Sequence, residues 1–183
     1  EPELDISLID GIEGHSTHGN ALDYDAERDA YFVGSRNLHT VFEVDRDTGE
    51  AVARYGGDFS DYVLPESEGV LTTHQHQFQV LEDSILLFDN GENGAEQSRV
   101  VEYTLDNGHA IPLWEYVTDP PIFCYAMGDV TRTVDDTTLV TWSTAGVIEE
   151  VDAAGEMLRR YELDIGAAFG YTTALDSLSD PSD

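Results

Sequence analysis

Three stretches of this chain repeat one pattern. SRNLHTVFEVDRDTGEAVARY, SRVVEYTLDNGHAIPLWEY and TAGVIEEVDAAGEMLRRYE each hold a strand closing on Asp, a turn bearing Gly, and an amphipathic strand returning. Two more short alternating segments precede each stretch, so the unit is four strands long. In the first unit the alternation predicts strands at 20–24, 30–35, 40–45 and 51–55. In the second it predicts 77–81, 85–89, 99–105 and 111–117, and in the third 129–134, 138–143, 147–151 and 157–163. Four-stranded units recurring every ~40–50 residues are the pattern of β-propeller blades. Each blade buries its faces only against its neighbours, and a closed ring needs about four to eight of them. The expected fold is therefore all-β: a single β-propeller domain, or part of one, built from four-stranded antiparallel blades. The blades fall at about 18–57, 76–117 and 128–163, with flanking strands at 4–9 and 171–178. Further blades, or an unusually small ring, are expected beyond these three complete ones. The stretch from Gly56 to Thr72 is polar and punctuated and reads as a long loop.

Charge narrows the function. The chain carries 38 acidic residues against 8 basic ones, a net charge of −30, and every basic residue is arginine. A nucleic-acid surface needs clustered Lys and Arg, so nucleic acid is not an expected partner. With 40% hydrophobic residues, including 9 Tyr and 7 Phe, the chain is expected to fold rather than to form an acidic tail. A carboxylate-rich, lysine-free surface suits a halophile, because molar salt shortens the Debye length to ~3 Å and screens self-repulsion. Cys124 is the only cysteine, which rules out an intrachain disulfide and predicts a small buried hydrophobe. No apolar run reaches the ~20 residues of a transmembrane segment, and no signal peptide is present. A chain beginning at Glu1 is expected to be a processed or trimmed product.

Chemistry concentrates between His74 and Arg99. The stretch HQHQFQVLEDSILLFDNGENGAEQSR brings imidazoles, an amide and a guanidinium together, donors suited to an anionic, oxygen-rich ligand. His74 and His76, two apart on a strand, are expected to point the same way. With His15, His18 or Asp89 they offer an alternative metal site of the kind used by hydrolases or lyases. Asn90, in Asp89-Asn90-Gly91, is first a turn residue and second a ligand contact. Tyr125 and Met127 are expected to line the pocket, Trp114 and Trp142 to pack in the core, and His39 and His109 to be solvated in turns. Neither a GxGxxG nor a GxxxxGKS loop occurs, so no nucleotide cofactor is expected, and no other cofactor is implied.

The residues HGNALDYDAERDAYFVGSRNLHTVFEVDRDTGEAVARYGG, Gln75-His76, FDNG, SRVVEY and GDVTRTVDDTTLVTWSTAGVIEEVDAAGE resemble the arylsulfotransferase family over nearly the whole chain. That resemblance implies nucleotide-independent transfer of a sulfuryl group from a phenolic sulfate ester to a phenol, through a sulfohistidine intermediate. It implies a site in the propeller channel, with His18 and His76 matching two family histidines and Arg99 the family arginine. The nucleophilic histidine would lie in a later blade. There this chain reads IFCYAMGDV, with no histidine, and His76 is the residue able to take its place. The partners so implied are small aryl sulfates and phenols, and the location extracytoplasmic, secreted or at the cell surface. A non-catalytic propeller that binds a ligand or partner is the remaining alternative.

Overall fold

The computed structural model describes residues 17–65, 69–164 and 168–173. Twelve strands form three separate four-stranded antiparallel sheets. The first contains β1 (Gly19–Asp25), β2 (Ala30–Ser35), β3 (Thr40–Asp45) and β4 (Ala51–Tyr55). The second contains β5 (Phe78–Val80), β6 (Ser84–Asp89), β7 (Arg99–Asp106) and β8 (His109–Tyr116). The third contains β9 (Asp129–Arg132), β10 (Thr138–Trp142), β11 (Val147–Val151) and β12 (Met157–Glu162). Within each sheet, spatial order follows chain order, as in propeller blades. The segments predicted at 4–9 and 174–178 lie outside the described residues, and 171–173 is not strand. Among the described residues no helix is long and apolar enough to cross a membrane.

The sequence SILLFD explains the stacking. Successive side chains of a strand point to opposite faces. In β6, Ile85 and Leu87 therefore join Phe32, Val41, Tyr55 and Phe78 in the core between the first and second blades. Leu86 and Phe88 join Val100, Cys124, Val130 and Trp142 in the core between the second and third. Those four β6 side chains are at most 1% exposed, and burial of each stabilises the stack by roughly 1.5–3 kcal/mol. Phe88 meets Trp142 edge-on at 5.3 Å between ring centroids. Among the described residues, the middle blade alone is covered on both faces, and its β6 carries a continuous apolar run. The outer faces remain open, with Leu22 and Tyr24 exposed on β1 and Leu158 and Tyr161 on β12.

Two carboxylates enter these interfaces, each with its hydrogen bonds satisfied. Glu102 accepts from Ser84 at 2.7 Å and pairs with Arg132 at 2.6 Å. Glu149 accepts from the Trp142 indole at 2.9 Å and the Tyr116 hydroxyl at 3.0 Å, and it also pairs with Arg160. Burial, and then the Glu149 charge, push the Tyr116 phenol above its usual range.

Candidate functional site

Antiparallel order places alternate connections at opposite ends of the blades. The start of β1 and the links β2–β3, β4–β5, β6–β7 and β8–β9 share one end, which gathers His18, Arg36, His39, His74, His76, Asn90, Tyr125 and Met127. The inner strands β1, β5 and β9 are preceded by His18, His76 and Met127. His18 and His76 thus stand at neighbouring inner-strand entrances.

His76 is 8% exposed, its N–H donates to the Phe88 carbonyl at 3.0 Å, and its Nδ1 is buried without a partner among the described residues. Burial first, then the charges of His18 and Arg36, hold its imidazole below the usual histidine range, against a raising effect of the Gly128 backbone. It is therefore neutral at neutral pH, with one ring nitrogen lone pair to offer. Tyr171 lies over it at 6.1 Å between centroids, and the Tyr171 hydroxyl donates to the Asn20 carbonyl at 3.3 Å. The neighbouring Thr172 N–H donates to buried Asp129 at 2.7 Å, which ties the Tyr171 segment to the start of β9.

Arg36 belongs with this group. Of the 8 basic residues, all Arg, Arg28, Arg46, Arg54, Arg99, Arg132, Arg159 and Arg160 each pair with a carboxylate, which leaves Arg36. Arg36 has no carboxylate partner among the described residues. Its Nη1 donates to Asn37 Oδ1 at 3.2 Å, and its main-chain N–H to the His18 carbonyl at 3.1 Å. The turn bearing Arg36 is thereby tied to the entrance bearing His18.

Arg99 occupies a different place. It opens β7, third in its sheet, opposite Asp89. Its Nε donates to Asp89 at 2.9 Å, Nη1 to Glu115 of the outermost strand at 2.8 Å, and Nη2 to the Leu71 carbonyl at 3.3 Å. Burial works against the guanidinium charge, but Asp89 and Glu115 more than offset it and raise the pKa. All three directions of the fork are engaged in holding the blade together, and the fork reaches outward from the inner strands.

The other candidates divide by what they touch. Asn90, 1% exposed, donates to the carbonyls of Cys124 at 2.7 Å and Met127 at 2.8 Å, so its amide nitrogen fixes the β8–β9 connection. Tyr125 is exposed, and Met127 is half-buried with φ at 62°. Cys124 is fully buried, its thiol against the Ala126 carbonyl and Thr144. The His74/His76 pair does not converge. A φ of 54° at His74 breaks the strand alternation, and its ring packs at a tilt against His39, 4.6 Å between centroids, while Nδ1 meets the Gly91 carbonyl at 3.2 Å. Among the described residues no three His, Cys, Asp or Glu side chains are placed to hold a metal; His15 lies outside them.

His39 is half-buried rather than solvated, because its Nδ1 accepts the His74 main-chain N–H at 2.8 Å. That bond requires a neutral ring. Burial, then the charges of His74 and Arg36, lower its pKa against the opposing charges of Glu92 and Asp58. Below the ordinary histidine pKa of ~6.5 the unfolded chain takes up a proton that the native ring refuses, so stability falls as pH drops from about 6.5 toward the depressed native value. His39→Asn is expected to flatten that part of a melting-temperature-against-pH curve; an unchanged slope would remove His39 from the account.

The sequence profile of the Arylsulfotransferase (ASST) family matches residues 13–169. The chain belongs to that family. No curated protein sequence matches it at a significant level. Among solved structures it is similar to virginiamycin B lyase from Staphylococcus aureus, with a TM-score of 0.55 at 12% identity, over 87% of this chain and 46% of that one. Hydrazine synthase of Kuenenia stuttgartiensis aligns with a TM-score of 0.55 at 12% identity, over 88% and 40% of the two chains. The WD40 repeats of RRP9 align at 0.57 and 9% identity, over 86% and 42%. These likenesses are of fold, that of a β-propeller. The chain spans less than half the length of each of these three structures.

Proposed function

We propose that this chain transfers a sulfuryl group from an aryl sulfate to a phenol, with His76 as the group that carries it. The observation that supports this most is the company kept by His76: a buried, neutral imidazole at the same end of the blades as His18 and the Arg36 guanidinium. A ring nitrogen of His76 attacks sulfur, the S–O bond to the aryl oxygen breaks, and the phenolate leaves and takes a proton. An acceptor phenol then loses its proton and attacks sulfur, the N–S bond breaks, and neutral His76 is restored. Sulfuryl transfer shares with phosphoryl transfer a loose transition state with charge on the equatorial oxygens, so positioning and electrostatics carry the rate. The forked guanidinium of Arg36 suits two of those oxygens, and His18 the third or the leaving oxygen. Arg99 keeps its structural pairs in this reading, and Tyr125 and Met127 stay at the edge of the pocket.

Release of p-nitrophenol from p-nitrophenyl sulfate, measured in molar salt with and without phenol, tests the proposal. The expected result is release that rises with phenol concentration, with equimolar phenyl sulfate formed. Release insensitive to phenol, or no release from folded protein, would overturn it.

A further inference from the structure

The Arg36 turn and the segment bearing His76 come from different blades; the His74 N–H on His39 Nδ1 links them at one point, and the Gln75 side chain at another. Gln75 is fully buried, and its Nε2 donates to the Ser35 carbonyl at 3.0 Å and the Thr40 carbonyl at 2.9 Å. Ser35 and Thr40 are register partners at the end of the β2–β3 ladder, so these two carbonyls bracket the turn that carries Arg36. In the other direction, the Gln75 carbonyl accepts from Asn20 Nδ2 of β1 at 2.8 Å. Gln75 Oε1 is buried with no partner among the described residues. An orphaned buried acceptor is costly, and a leucine or methionine at this position would avoid that cost.

We propose that Gln75 is a positioning residue: its carboxamide clamps the Arg36 turn of one blade to the peptide that precedes His76 in the next, so that guanidinium and imidazole face one ligand. The inference rests on the reading of His76 and Arg36 as the sulfuryl site, but its placement claim is measurable without turnover. Gln75 touches no substrate. It acts through two backbone carbonyls that only a donor of its length reaches together. Glutamate has that length, but once ionised it donates to neither carbonyl.

The test is a double-mutant cycle on the His76 titration, followed by NMR in the full chain below its melting temperature. Arg36→Ala is expected to raise the His76 pKa in the wild-type background, because a neighbouring positive charge is removed. In the Gln75→Met background that rise is expected to vanish, since the turn no longer presents Arg36. Gln75→Glu at neutral pH is expected to behave like Gln75→Met. Asn20→Ala, which leaves the carboxamide in place, is expected to keep most of the rise, and it carries the cycle if Gln75→Met does not fold. For p-nitrophenyl sulfate with phenol, Gln75→Met is expected to lower kcat on the order of 100-fold, the usual loss from about 1 Å of misplacement. Retention of both the Arg36–His76 coupling and kcat in folded Gln75→Met overturns the inference. A wild-type protein without turnover sinks the sulfuryl reading instead, and the coupling alone then decides Gln75.

Discussion

Arg36→Ala is expected to lower kcat/KM for an aryl sulfate by about 10²–10³-fold, the loss typical when one charge-stabilising donor leaves a transition-state site. The melting temperature is expected to change little, because the guanidinium is half-exposed and its one side-chain partner in the described structure is its neighbour Asn37. Arg36→Lys keeps the charge but loses the planar fork, so it is expected to recover only part of the rate. Arg99→Ala is expected to do the reverse. It strands Asp89, 4% exposed, without its counter-ion and should cost about 3 kcal/mol of stability, while kcat/KM in the remaining folded protein stays within a few-fold. If Arg36→Ala turned over normally and Arg99→Ala, folded, did not, the two arginines would have to exchange roles.

Gly128→Ala is expected to be strongly destabilising. Gly128 has φ at 109°, a region L-residues avoid at about 1–2 kcal/mol. An added Cβ would also fall within the Phe88 ring, which is fully buried and wedged against Trp142. Overpacking of that kind costs about 1–3 kcal/mol. Together the two effects amount to about 2–5 kcal/mol, or about 10 °C in melting temperature for a chain of this size. Gly94→Ala is the internal control: φ is 93°, yet nothing lies within 4 Å of the added carbon, so only the backbone strain is expected. Equal losses in the two variants would show that Phe88 moves aside freely. Activity should suffer with Gly128→Ala as well, since the Gly128 backbone borders His76.

The blades were legible because apolar alternation and Asp/Gly turns act locally, and β2, β3, β4 and β11 run over the very residues the pattern indicates. The propeller fold itself followed from the repeat. The site was legible only in part, and the reason is geometric. Ser35-Arg36 and Ser98-Arg99 look equivalent as dipeptides, and the family resemblance points to the second. By ladder register, however, Arg99 opposite Asp89 corresponds to Thr40 opposite Ser35, whereas Arg36 sits in the turn between strands. At its strand position Arg99 is engaged by Asp89 and Glu115, whereas Arg36 has no carboxylate partner among the described residues. The signal that would have separated them is the carboxylate five residues downstream of strand β6's start, Asp89, poised to pair with Arg99. His74 and His76 were expected side by side, but alternation holds only for extended backbone, and a positive φ at His74 is not written in a histidine. Asn90 reads first as a turn residue and second as a ligand contact, and Gln75 only as part of the family-like Gln75-His76 pair, although their amides bind carbonyls 34–40 residues away, which no local pattern reports. Tyr171 likewise reaches His76 only through the fold.

The most direct test of the sulfuryl-carrier role is to expose the protein to excess p-nitrophenyl sulfate with no acceptor, quench it, and locate any added sulfuryl group by peptide mass spectrometry. The expected result is one sulfuryl group on the ring of His76, discharged when phenol is added before the quench and absent from His76→Ala. A burst of p-nitrophenol with the sulfuryl group on another residue, or with His76→Ala labelled as well as wild type, would contradict it.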